Sequence, residues 1–154
     1  MSGERKIFLD TNILVRANVL TAPAHEQSIE VLRLLRKQRT ALWISQQSIR
    51  EYLAVVTRPQ SFMHPLDTAT AVSRARYFRS HFRVAPDNNL VLDRLLTLLT
   101  EIPTGGKQVH DANIVATMQA YGIPSLLTFN PEDFKRFAAH IKILAPETIL
   151  KEDK

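Results

Sequence analysis

The chain has 154 residues, 45% of them hydrophobic, a formal charge of +5 and no cysteine. Such a length and apolar content suit one domain with its own core, and the missing thiols exclude disulfide scaffolds, Cys nucleophiles and thiolate zinc sites. Any metal is left to oxygen or imidazole, while the basic balance favours a polyanionic partner because Lys and Arg release counterions condensed on a phosphate backbone.

The first residues run into an apolar stretch too short for a signal peptide or a membrane span, so a cytoplasmic protein without membrane association is expected. Ile7-Phe8-Leu9 ends in Asp10 and predicts a central parallel strand buried on both faces. From Ala24 to Arg39, Ile29, Leu32 and Leu35 recur at helical spacing among Arg33, Arg36, Lys37 and Arg39, giving an amphipathic helix with a basic face. Ala41 to Ser45 reads as a second strand, and Gln46 to Thr57 as a helix ended by Arg58-Pro59.

Asp67 is placed to cap a helix bearing Arg74, Arg76 and Arg79, and Phe82-Arg83-Val84 reads as a short strand. Asp87 is expected to cap a further helix with Leu90, Val91, Leu95, Leu98 and Leu99 mostly toward the core. The loop Pro103 to Gly106 precedes a helix from Val109 to Tyr121, closed by Gly122 where a left-handed residue costs least. Ser125 to Thr128 is a strand, Asn130-Pro131 opens a helix, and Ile141 to Leu144 is a last strand. Alternating strands and helices predict one α/β domain over residues 1–154, a parallel sheet between helical layers, with flexible ends at about 1–5 and 150–154.

In such a sheet ligands bind beyond the carboxyl ends of the strands, where Asp10, Glu51 and Asp111 fall. Carboxylates converging from distant segments repel one another unless a cation or proton neutralises them. A hard cation, Mg²⁺ or Mn²⁺, fits oxygen ligands and a substrate phosphate. Such an ion activates water and stabilises the leaving oxygen of a phosphodiester.

The order and spacing of these motifs, Asp10-Thr11-Asn12 after the first strand, Glu51 in the helix after the second, Asp111 in His110-Asp111-Ala112-Asn113 and Thr128 to Phe134, resemble a PIN-domain ribonuclease. The likeness is strongest to the VapC toxins of toxin–antitoxin pairs and spans nearly the whole chain. It implies an α/β/α fold, Mg²⁺-dependent RNA cleavage, a homodimer, and a VapB-like antitoxin whose tail occupies the acidic groove. Many family members have an Asp two residues after the threonine matching Thr128, whereas Asn130 stands here, so Asp133 is the candidate fourth acid.

Structural readings stand beside these. Asp10 and Asp111 each suit a helix cap, Glu51 a solvated helix position, and Asp133 the first turn of a helix whose dipole it would stabilise. Thr11, Asn12, Thr128 and Asn130 are read as orienting the carboxylates. His110 beside Asp111 reads as structural and Gly105-Gly106-Lys107 as a loop without a Walker pattern. Arg33, Arg36, Lys37, Arg74, Arg76, Arg79 and Lys107 are candidate RNA contacts as well as solvated faces. Apolar positions near Ile29 to Leu35 and Phe62 to Phe78 are candidate dimer or antitoxin surfaces. Two alternatives differ in chemistry: a PIN-like module that only binds RNA or a partner, and a phosphatase with Asp10 as nucleophile, disfavoured by Asn12 where a second Asp is needed.

Overall fold

The computed structural model describes residues 3–153; the flexibility expected of residues 1, 2 and 154 lies outside them. Five parallel strands, β1 (Lys6–Leu9), β2 (Ala41–Ser45), β3 (Arg83–Ala85), β4 (Ser125–Leu127) and β5 (Lys142–Leu144), form one sheet in the order β3-β2-β1-β4-β5. The period-two alternation of side chains splits the core into two layers. Ile7, Leu9, Leu42, Ile44, Leu127 and Leu144 face one helical layer, whereas Phe8 and Leu126 face the other, with Trp43 and Ile143 packed against it. The expected α/β/α sandwich is therefore observed.

On the first face lie α1 (Thr11–Asn18), α2 (His25–Lys37), α3 (Gln46–Val56), α4 (Thr68–His81) and α7 (Pro146–Glu152). The hairpin of α5 (Asn89–Glu101) and α6 (Gln108–Tyr121) covers the second, joined by the 3₁₀ helix Pro131–Phe137, which buries Phe134 and Phe137. Local chemistry sets the helix ends. Ser45 and Ser48 form a reciprocal capping box at α3, Asp67 caps α4 through the Thr70 amide, and Gly122 ends α6 at φ 66°.

Several expectations change. Asn88, not Asp87, caps α5 by accepting from the Val91 amide, while Asp87 pairs with Arg50. Leu90 is half exposed, since α5 meets the core mainly through Val91 and Leu98. The segment after Asn130 is a 3₁₀ helix, and β3 runs one residue later than the pattern suggested. Residues 150–152, expected to be a loose end, lie in α7, whose Ile149 and Leu150 join the first core. Among the described residues no helix is long and apolar enough to cross a membrane.

Candidate metal centre

The sheet reverses direction of winding at β1, with β2 on one side and β4 on the other. At such a switch point the loops diverge and leave a crevice. Asp10 leaves β1 and Thr128 leaves β4, and the two meet there: the Asp10 amide donates to the Leu127 carbonyl at 3.0 Å. The Asp10 carboxylate accepts from the Thr11 amide at 2.8 Å, the Thr128 hydroxyl at 2.8 Å and Asn12 Nδ2 at 3.3 Å. Asp10 thus does cap α1, and capping leaves its charge in the crevice. Burial pushes its pKa up, opposed by the Thr128 and Thr11 hydrogen bonds, with Asp133 adding a further upward push.

Asn12 Nδ2 also donates to Thr128 Oγ1 at 3.3 Å, and Asn12 Oδ1 accepts from the Phe129 amide at 3.3 Å. Thr128 is fully buried and accepts from the Asn130 amide at 3.0 Å. Asn12 and Thr128 thus both hydrogen-bond the Asp10 carboxylate, and Asn130 joins the network through its backbone amide. The Thr11 hydroxyl is buried without a partner and holds nothing in place.

Glu51 sits in α3, and its Oε1 is buried with no hydrogen-bond partner. Burial and then the Asp10 charge raise its pKa to about 7, with Asp111 adding to the rise and Gln47 and Arg50 opposing it. Asp111 lies in the first turn of α6 and does not cap it; that position is Lys107. Burial, Asp10 and Asp133 together raise the Asp111 pKa to about 6, against Arg136. Asp133 is exposed on the 3₁₀ helix, within electrostatic reach of both Asp10 and Asp111.

Asp10, Glu51 and Asp111 thus lie within electrostatic reach of one another, yet among the described residues no three acidic or imidazole side chains are close enough to clasp an ion. The unpartnered Glu51 oxygen and the raised pKa values suit a cation among these carboxylates, because a buried acceptor without a donor is costly.

Residues outside the acidic motifs complete the geometry. Gln47 is buried and bridges the two helices that carry Glu51 and Asp111, donating to the His110 carbonyl at 2.9 Å and accepting from Asn113 at 2.7 Å. Arg16, Arg50 and Arg136 stand around the acids; the Arg16 guanidinium lies 4.4 Å from the centroid of the Phe129 ring. No local pattern distinguishes these four residues from ordinary helix positions, and only the fold brings them to the crevice.

Four of the expected basic positions lie elsewhere, while Lys107 stands at the N-cap of the helix that carries Asp111. Arg36 and Lys37 end α2 just before β2 begins, and Arg76 and Arg79 approach the start of β3, so these four belong to the amino-terminal rim of the sheet, opposite the acids. Arg36 donates to the His81 carbonyl and stacks over Phe82. Arg74 is half-buried and donates to the Asn18 carbonyl at 2.7 Å. Arg33 is an exposed residue of α2, and Lys107 and His110 are exposed at the start of α6.

The family model described as PIN domain matches residues 7–140. This chain belongs to the PIN-domain family. Within it the fold is similar to that of VapBC2 from Rickettsia felis, solved bound to a DNA fragment from its promoter, at TM-score 0.69 and 22% identity, covering 91% of this chain and 98% of that one. It is also similar to Mycobacterium tuberculosis VapC20, a Sarcin-Ricin loop cleaving toxin, at TM-score 0.63 and 18% identity over 88% and 95% of the two chains. A toxin–antitoxin complex from Klebsiella pneumoniae matches at TM-score 0.62 and 21% identity over 91% and 97%. Comparison with curated proteins gives no match. The fold is accordingly a VapC-like PIN fold.

Proposed function

We propose that this protein is a Mg²⁺- or Mn²⁺-dependent endoribonuclease, a hydrolase of phosphodiester bonds, and the toxin of a VapBC-type pair. The observation that carries the reading is the convergence of Asp10, Glu51 and Asp111 on the strand-end crevice, with a buried Glu51 oxygen left without a donor. Asp10, Glu51 and Asp111 would hold the ion, in part through its own waters, and Asp133 would supply the fourth carboxylate in place of Asn130. When bound, the ion supplies positive charge for the phosphodiester oxygens and lowers the pKa of water toward neutrality. Thr128, Asn12 and the Thr11 amide keep Asp10 aimed at the crevice, and Gln47 keeps Glu51 and Asp111 in register. Burial and the Asp10 charge raise the Glu51 pKa to about 7, so a cation would be needed to hold it in its charged, ligating form.

The VapBC complexes among the similar structures, and the toxin–antitoxin complex from Klebsiella pneumoniae, support a VapB-like antitoxin as partner. The phosphatase reading lacks the second Asp it needs two positions after Asp10: Asn12 stands there and donates to the Asp10 carboxylate. The wide spacing of the acids keeps a binding-only module as the second reading. Cleavage of a mixed RNA pool by antitoxin-free protein with Mg²⁺ or Mn²⁺, beside a chelated control and Asp10→Asn, tests the assignment. Metal-dependent cuts that vanish in the folded variant support it. Intact RNA together with calorimetry showing no metal binding would select the binding module.

A further inference from the structure

Beside the acids lies a cavity of about 260 Å³ whose make-up divides into three parts. Glu51 and Asn12 form the side that opens on the metal centre, Val15, Val55 and Phe62 supply apolar wall, and Arg16 is its cation. Arg16 makes no salt bridge among the described residues, although it is close to an acidic crevice. Its guanidinium lies against Phe129 instead, which accounts for its not collapsing onto the carboxylates and leaves its N–H edge for an incoming anion. Gln60 donates to the Val55 carbonyl at 3.1 Å, which anchors the turn carrying Phe62 over the cavity.

An apolar slot, a planar cation and an adjoining metal centre together match one class of ligand. From this geometry we infer that the cavity is a nucleotide subsite taking one unpaired residue of single-stranded RNA, with Arg16 on the phosphate next to the scissile one and Phe62 against the base. The inference rests on the nuclease reading above. At about 260 Å³ the cavity lies just under the roughly 300–1,000 Å³ of small-molecule sites, which leaves room for one base with its phosphate at the open rim and not for a duplex. Aromatic faces bind bases of any sequence, so the subsite selects unpaired RNA before it selects a particular base.

The test uses the full chain carrying Asp10→Asn, so that RNA stays intact, with a fluorescein-labelled single-stranded oligoadenylate and an abasic ribose-phosphate oligomer of equal length. Adding Arg16→Ala should weaken binding of both oligomers about tenfold and flatten the salt dependence by about one unit of slope. Adding Phe62→Ala should weaken oligoadenylate about tenfold and leave the abasic strand unchanged, and Phe62→Tyr should restore the affinity. Circular dichroism checks that each variant is folded. Unchanged affinities for folded Arg16→Ala and Phe62→Ala, or equal losses on the two oligomers for Phe62→Ala, would overturn the subsite and leave the cavity to a protein segment. Those results leave the nuclease reading standing wherever the unmodified chain still cuts RNA; failure of the unmodified chain to cut would sink that reading first.

Discussion

Asp10 depends on a neighbour 118 positions away: the Thr128 hydroxyl donates to its carboxylate at 2.8 Å while accepting from the Asn12 side chain and the Asn130 amide. Thr128→Val keeps the shape and removes all three bonds. We expect a folded protein with metal affinity or cleavage rate reduced about 10–100-fold, measured by Mg²⁺ titration and single-turnover cleavage. A variant with unaltered metal affinity would show that Asp10 needs no such anchor. The raised acids also predict how stability follows pH. Glu51 and Asp111 titrate at 4.5 and 3.8 when unperturbed but at about 7 and about 6 in the metal-free fold. The fold therefore holds more protons across that interval than the unfolded chain, and stability falls as pH rises through it. Metal-free protein should melt higher at about pH 5 than at about pH 8 as far as these groups contribute, and Mg²⁺ should raise Tm chiefly at the higher pH. Equal Mg²⁺ shifts at both pH values would remove these acids from the metal site.

At the scale of elements, the turn between α2 and β2 contains a strained residue. The Thr40 amide reaches the Leu35 carbonyl and the Arg39 amide the Arg36 carbonyl, a helix-ending motif that places Arg39 at φ 59° where glycine is the usual occupant. Arg39 is exposed, so Arg39→Gly should stabilise the domain by about 1 kcal/mol, read as a rise in the urea midpoint with unchanged slope. A fall in the midpoint would mean that the guanidinium holds this rim together. The helices that carry the acids are tied by Gln47, whose amide joins α3 to α6. Neither helix displays this tie in its own periodicity, because the partners are 63 and 66 positions away.

At the scale of the molecule, the apolar surface lies away from where helical patterning suggested. Val31, Leu35, Ala71 and Phe78 are buried and Ile29, Leu32 and Leu34 are half-buried, so the segments near 29–35 and 62–78 mostly serve the core. Apart from Leu20 in the loop after α1, the exposed leucines sit on α5: Leu90 and Leu92 are each 50% exposed and Leu96 is 56% exposed. Leu92 and Leu96 are four apart and share a face. For the homodimer that the family resemblance implies, we propose this face as the seat, and Leu96→Glu should leave the fold intact and shift sedimentation from dimer to monomer. A dimer unaffected by that change would place the interface elsewhere.

The sequence by itself determined most of the elements, because their signals are local. Ile7-Phe8-Leu9 reads as a doubly buried strand, Ser45 and the residues after it as a helix start, and Gly122 as a helix end, each from hydrogen-bonding or burial rules that operate within a few residues. Order and spacing also singled out Asp10, Glu51 and Asp111 as residues to watch, and they lie within electrostatic reach of one another in the fold. The tertiary structure alone decided the rest. It joined Thr128 to Asp10 by setting β4 beside β1, brought Arg16, Arg50 and Arg136 around the acids, sent Arg36 and Lys37 to the opposite rim, and packed α7 onto the first core. Those relations depend on strand order and helix placement, which are fixed by burial summed over the whole chain and leave no period in any short stretch of residues.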